Sequence, residues 1–127
     1  MFVGKRMTKK VITVTPEDTL KRAADLLAEN RVHRLPVLKD GRLVGIVSDS
    51  DIRNAAVRDS SPVSPPGSWT VGEIMTREVI TVTPWDTVED ALLVLQKKRL
   101  GSLPVVDGNR VVGIITKADV LAALIAR

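Results

Sequence analysis

The sequence predicts an α+β fold of two tandem β-α-β-β-α repeats, packed sheet to sheet with pseudo-two-fold symmetry. Three observations predict it. First, the chain contains itself twice: a shift of 68 positions aligns Val3–Ile52 with Val71–Val120 without a gap, and 23 of the 50 pairs are identical. Second, each copy has two apolar, β-branched runs joined by a turn signal, Asp40-Gly41 in one and Asp107-Gly108-Asn109 in the other, which reads as a hairpin. Third, each hairpin is flanked by segments whose apolar residues recur at helical spacing. A three-stranded unit of about 50 residues with one apolar face buries too little surface alone, so the two copies are expected to share a core.

The elements follow in order. Val11–Val14 is a short extended run. Thr15-Pro16-Glu17-Asp18 reads as a helix start, with Thr15 as N-cap, Pro16 at the first helical position and acids in the first turn. Leu20, Ala23, Ala24 and Leu27 then mark one helix face, and the helix ends near Asn30. Leu35–Leu38 and Leu43–Val47 are the hairpin strands, and Ser48 opens a second helix running to about Val57. The second copy repeats this from Val79, with Thr83-Pro84 as the helix start and Thr116 opening a last helix that includes Leu121, Leu124 and Ile125. Repeat one is residues 3–58 and repeat two 71–127. Between them 59–70, rich in Ser and Pro, reads as a semi-extended linker.

Composition narrows the function classes. No stretch approaches the roughly 20 apolar residues of a membrane span, and no apolar signal-peptide core follows the N-terminus. The chain has no cysteine, hence no disulfide framework and no thiolate chemistry. A cytoplasmic location is the expectation. The net charge of +4 falls in the first half, where residues 1–60 carry 12 Lys/Arg against 8 Asp/Glu. A basic half can attract an anionic ligand or nucleic acid, but Phe2, Trp69 and Trp85 are the only aromatics, and no basic stretch interleaves with them. The two tryptophans read as packing at a subunit contact. Catalysis finds little support: the chain has one His, no metal-ligand cluster, and neither a Gly-x-Gly-x-x-Gly nor a Walker sequence.

The residues that can carry chemistry sit where the return strand of each hairpin runs into a helix: Ser48 with Asp51, and Thr116 with Asp119. A hydroxyl at N-cap and an acid three residues on form a capping box that satisfies free backbone N–H groups. A carboxylate at that place also accepts two hydrogen bonds from a vicinal diol such as ribose, and the helix start favours a nearby phosphate. Both readings can hold at once.

Together the duplication, the Met-Thr starts at Met7-Thr8 and Met75-Thr76, Leu-Pro-Val at Leu35 and Leu103, and Val-Gly-Ile-(Val/Ile)-(Ser/Thr)-x-x-Asp resemble a CBS domain pair, the regulatory Bateman module. The resemblance implies that Asp51 and Asp119 hold the ribose hydroxyls of an adenosine-type ligand, with Ser48 and Thr116 beside them. It implies that Val11, Ile12, Val79, Ile80, Pro36 and Pro104 flank the base, and that His33-Arg34 contacts phosphate, as in AMP-sensing members. Repeat two has Gly101-Ser102 at that place, with Lys117 as a candidate cation where repeat one has Asp49. Two inequivalent clefts between the copies are therefore expected.

The implied ligand is AMP, ADP or ATP, with S-adenosylmethionine or NAD as further candidates, acting as a regulatory ligand rather than a cofactor. The implied assembly is a homodimer. Two copies and a linker leave no room for a catalytic or DNA-binding domain, so an effector protein is expected to act in trans, or the chain is a fragment of a longer protein. Lys5, Lys10, Lys21 and Arg22 correspond to Glu73, Glu78, Glu89 and Asp90, an exchange of sign that would favour contact of unlike copies. A ligand-free oligomerisation or protein-interaction module is the alternative, and nucleic-acid binding through the basic first repeat is a third reading.

Overall fold

The computed structural model describes residues 1–58 and 69–126. Its elements are α1 (Val3–Arg6), α2 (Leu20–Asn30), β1 (Arg34–Lys39), β2 (Arg42–Ser48), α3 (Asp49–Arg58), α4 (Val71–Ile74), α5 (Val88–Lys98), β3 (Ser102–Asp107), β4 (Arg110–Thr116) and α6 (Lys117–Ile125). The α+β class is borne out, with two antiparallel sheets, β1–β2 and β3–β4. Of the linker read at 59–70, only Trp69 and Thr70 are among the described residues.

Two compact units form, and each draws chain from both repeats. A contiguous unit is Ile12–Val79; a composite unit joins Met1–Val11 to Ile80–Arg127. The reason lies in backbone pairing and in one valine per segment. In the contiguous unit Val71 N–H donates to Asp18 C=O at 2.8 Å and Gly72 N–H to Pro16 C=O at 2.9 Å. In the composite unit Val3 N–H donates to Asp86 C=O at 2.8 Å and Gly4 N–H to Pro84 C=O at 2.9 Å. Val71 and Val3 are fully buried, each in the core of the unit it joins. Burying one such side chain contributes about 1.5–3 kcal/mol. The positive excess is redistributed accordingly: the composite unit carries 10 Lys/Arg against 5 Asp/Glu, the contiguous unit 9 against 10.

These bonds correct the expected helix starts. Thr15 and Thr83 are not N-caps; the caps are Thr19 and Thr87, whose side chains accept from Arg22 N–H and Asp90 N–H. A helix from Pro16 would need the Pro16 carbonyl to accept from Leu20. That carbonyl is held by Gly72, and Leu20 N–H goes to Trp69 C=O at 3.3 Å. Thr15–Asp18 is instead a turn, closed by Asp18 N–H to Thr15 C=O at 3.1 Å and Thr15 N–H to the Asp18 carboxylate at 2.7 Å. The helices themselves bury the expected faces, Leu20, Ala23 and Leu27 in α2 and Val88, Ala91 and Leu95 in α5.

The expected first strand shrinks to one residue. Val14 makes a parallel bridge to Val37, and Val82 to Val105. Val14 N–H donates to Pro36 C=O at 3.1 Å, and Val14 C=O accepts from Leu38 N–H at 2.8 Å. The next rung would require an N–H from Pro36, which has none, so the ladder stops before Ile12. Pro104 ends the equivalent ladder in the same way.

The hairpins match the turn signals. Asp40 and Gly41 both take positive φ, 52° and 78°, as a two-residue primed turn requires, and Gly108 has φ 65°. Each hairpin carries a bulge before its turn, between Val37 and Leu38 and between Val105 and Val106. Gly45 and Gly113 sit where the Met-Thr segments cross the sheet edge. Thr76 pairs with Ile46 and Thr8 with Ile114. A Cβ on Gly45 would lie 2.5 Å from Met75 Sδ and 3.0 Å from Thr76 O; on Gly113 it would meet Met7 Sδ at 2.5 Å and Thr8 O at 3.0 Å.

Both long helices end on an arginine in the left-handed region, Arg31 at φ 54° and Arg99 at φ 55°. The following N–H groups close the turn, Val32 to Leu27 C=O at 3.1 Å and Leu100 to Leu95 C=O at 2.9 Å. A Cβ at that backbone conformation is strained.

Two outcomes follow. Arg99→Gly relieves the left-handed strain and raises the stability by about 0.5–1 kcal/mol, read from the midpoint of urea unfolding. Gly113→Ala overpacks the crossing of Met7-Thr8 and lowers it by about 1–3 kcal/mol with an unchanged m-value.

Candidate functional site

The helix that follows each hairpin begins as the sequence predicts. Ser48 and Asp51 form a reciprocal cap: Ser48 N–H donates to Asp51 Oδ2 at 2.9 Å and Asp51 N–H to Ser48 Oγ at 3.1 Å. Thr116 and Asp119 do the same, at 3.0 and 3.1 Å. The capping reading therefore holds. It occupies one oxygen of each carboxylate, and Asp51 Oδ1 accepts no hydrogen bond from a described residue.

The two sites differ in what surrounds the carboxylate. In the composite unit the Thr8 hydroxyl donates to Asp119, at 3.2 Å to Oδ2 and 3.4 Å to Oδ1. Thr8 is fixed by its backbone, which exchanges bonds with Ile114 at 2.8 and 2.9 Å. Sequence reasoning passed over Thr8 as a site residue. The signal was there: Met-Thr recurs at the repeat spacing, and in each repeat a Val-Gly-Ile glycine offers the space on which it lies.

In the contiguous unit the carboxylate instead lies within electrostatic reach of a cation. Arg34 is half-buried close to Asp51; desolvation pulls its guanidinium below the ordinary value, opposed by the Asp51 charge. Its Nε is buried and has no hydrogen-bond partner. A buried, unpaired guanidinium nitrogen costs free energy, on the order of 1–3 kcal/mol, that an incoming acceptor recovers. Ser102 takes this place in repeat two, so the composite unit lacks the fork.

His33 and Arg34 do not share surroundings. His33 Nδ1 lies 2.9 Å from Asp49 Oδ2, and Arg53 NH1 lies 3.6 Å from the same oxygen. The hydrogen bond with His33 holds the Asp49 carboxyl below its ordinary value. This cluster rims a cavity of about 430 Å³ between α2 and α3, floored by Ala24, Leu27 and Ile52. Arg34 and Asp51 do not line it. A second cavity, about 600 Å³, lies among Pro16, Lys39, Val44, Thr70 and Arg77, and Asp51 does not line it. The exposed Lys117 starts α6, its N–H bonded to Gly101 C=O at 3.1 Å.

Of the positions named for the base, Pro36 and Pro104 are buried strand residues, and the other four lie at the crossovers of the chain. It passes from the composite to the contiguous unit between Val11 and Ile12, and back between Val79 and Ile80. Ile80 is exposed and the other three are partly buried. None of the four continues the sheet, because the two prolines end the ladders one rung earlier. Trp69 is not an exposed contact residue: it packs against the core of the contiguous unit, whereas Trp85 is 65% exposed. Among the described residues no group of three or more His, Asp or Glu could hold a metal ion, and no helix is long and apolar enough to cross a membrane.

Comparison with known proteins gives the family. The CBS domain pattern matches residues 3–58 and again 71–126. Protein MJ1232 of Methanocaldococcus jannaschii is 36% identical over 120 residues, 94% of this chain and 38% of that protein. The CBS domain-containing protein YhcV of Bacillus subtilis is 34% identical over 113 residues, 89% of this chain and 78% of its own length. Inosine-5'-monophosphate dehydrogenase of Thermoplasma acidophilum is 35% identical over 114 residues, which make up 21% of that enzyme. The chain thus spans well under half of some relatives and most of others.

Among solved structures, protein MJ1225 of Methanocaldococcus jannaschii superposes with a TM-score of 0.88 at 34% identity, covering 97% of this chain and 47% of that one. CBSX2 in complex with AMP gives 0.83 at 31% identity, covering 98% and 96%. The CBS domain pair of protein MJ0100 in complex with 5-methylthioadenosine and S-adenosyl-L-methionine gives 0.82 at 31% identity, covering 99% and 96%. With its duplicated sequence, its paired capped helix starts and these matches over nearly its full length, the chain belongs to the CBS domain family and carries the domain twice.

Proposed function

We propose that this chain is a regulatory, non-enzymatic module that binds an adenine nucleotide and alters a partner protein in trans. One observation carries the reading: Asp51, committed by one oxygen to its own helix start, stands close to an Arg34 whose buried Nε has no partner. A carboxylate with a spare oxygen suits a ribose diol, and a guanidinium beside it suits a phosphate. Structures of two relatives, CBSX2 with AMP and MJ0100 with two adenosyl ligands, support the ligand class.

The two units would be inequivalent. The contiguous unit, with Arg34, is the candidate for AMP, ADP or ATP, using Asp51 and Ser48 on the ribose and Ile12, Pro36 and Val79 near the base. The composite unit, with Thr8 on Asp119 and no fork, suits a ligand without a phosphate, such as an adenosyl thioether. There Thr116 and Lys117 stand at the helix start and Val11, Ile80 and Pro104 near the base. His33, bonded to Asp49 through Nδ1, keeps Nε2 to donate to a phosphate.

A homodimer is part of the proposal. Leu93, Leu121 and Ile125 of α5 and α6 are large exposed apolar side chains that such contact would cover. Sedimentation of the ligand-free and AMP-bound chain reads it, and a monomer in both states removes the dimer from the proposal.

Titration calorimetry of AMP, ATP, S-adenosylmethionine and NAD tests the ligand. Arg34→Gln should weaken AMP about 10–100-fold, the loss of one charge-assisted bond, and leave adenosine within about threefold. Asp51→Asn, which keeps an acceptor for the cap, should weaken both by a similar factor. Unchanged affinities in both variants, or no adenylate binding to the native chain, would overturn the proposal.

A further inference from the structure

Each unit contains two helix starts that abut. In the composite unit Phe2, the residue before α1, bridges Thr87, the residue before α5. In the contiguous unit Thr70, before α4, bridges Thr19, before α2. The start of a long helix is the positive end of its dipole, so the starts of α2 and α5 favour acidic side chains and disfavour added cations.

Each pair carries acids on one helix and cations on the other. The first turn of α5 has Glu89 and Asp90, while that of α1 has no acid and the helix carries Lys5. The first turn of α4 has Glu73, while α2 has no acid there and begins with Leu20-Lys21-Arg22. All six charged residues are exposed. Lys10 in the composite unit and Glu78 in the contiguous one extend the same alternation.

The two repeats are close enough in sequence for the docking partners to be confused. Val3, Gly4, Met7 and Thr8 are matched by Val71, Gly72, Met75 and Thr76, and Thr15, Pro16, Asp18 and Thr19 by Thr83, Pro84, Asp86 and Thr87. The buried valine and the backbone bonds therefore fit either repeat. Charge does not. Docked on its own repeat, Lys5 would meet Lys21 and Arg22 at the positive end of α2, and Glu73 would meet Glu89 and Asp90.

We infer that the first turns of α2 and α5 are docking surfaces that select the incoming Met-Thr segment by charge: α5 takes the basic segment Met1–Val11, and α2 the acidic segment ending at Val79. The charges are solvent-exposed and their mutual effects individually weak, so what they supply is discrimination between two otherwise matching surfaces. The inference is independent of any ligand.

The test is a double-mutant cycle in the full chain. In about 0.02 M salt, where screening is weak, Lys5→Glu should lower the melting temperature by roughly 2–5 °C, as should Glu89→Lys combined with Asp90→Lys. All three together should lower it by less than the sum, with the coupling fading in about 0.5 M salt. Hydrogen exchange of the Val3 amide, bonded to Asp86 C=O at 2.8 Å, reports docking locally and should show the same coupling. Should a reversal prevent folding, Lys5→Gln with Asp90→Asn is read by the same criterion. Additive effects at low salt in both measurements would overturn the inference.

Discussion

The structure depends on close approach at two glycines. Gly45 and Gly113 lie in buried stretches of β2 and β4, and across each runs a Met-Thr pair from the other repeat. The approach puts the threonine backbone within hydrogen-bond reach of the strand and seats the methionine on the sheet edge. With a side chain in place of either hydrogen, the segment would have to shift, and the seat of its valine, Val3 or Val71, would loosen. The exchange of segments, the altered helix starts and the placement of Thr8 beside Asp119 all follow from that one crossing.

The same economy governs the candidate site. A helix start needs acceptors for its free N–H groups, and Ser48/Asp51 and Thr116/Asp119 supply them. What remains after capping differs between units. Asp119 receives a hydroxyl from the exchanged segment, whereas Asp51 keeps an oxygen free of described donors beside an under-satisfied arginine. Duplication gave two copies of one cap. Divergence at Arg34/Ser102 and His33/Gly101 gave them different chemistry.

Much of this was legible in the chain. The repeat, the hairpins at Asp40-Gly41 and Asp107-Gly108, the buried faces of α2 and α5 and the capping boxes are all local patterns, and they appear at the positions read. Three things were not legible. Thr15-Pro16 has the residues of a helix start, but the carbonyls such a helix needs are taken by residues more than 50 positions away. Val11-Ile12-Thr13 has strand composition, but its would-be partner Pro36 lacks the donor. The recurring Met-Thr marks Thr8 as part of the repeat, but Thr8 lies 111 positions from Asp119 and nothing local marks the two as a pair. Each miss is a long-range constraint overriding a short-range preference. The separation of His33 from Arg34 has the same character: neighbours in sequence, they take different carboxylates, Asp49 and Asp51.

The composite unit is assembled from two pieces of chain that the whole contiguous unit separates. As the polypeptide emerges from the ribosome, residues 12–79 can close on themselves as soon as they are out, but residues 1–11 lack their own docking surface until β4 and α5 are made. Val3 and Met7 stay out of the core they finally enter throughout that interval. The unit whose chain is begun first is therefore completed last, and its loop closure is the costlier of the two.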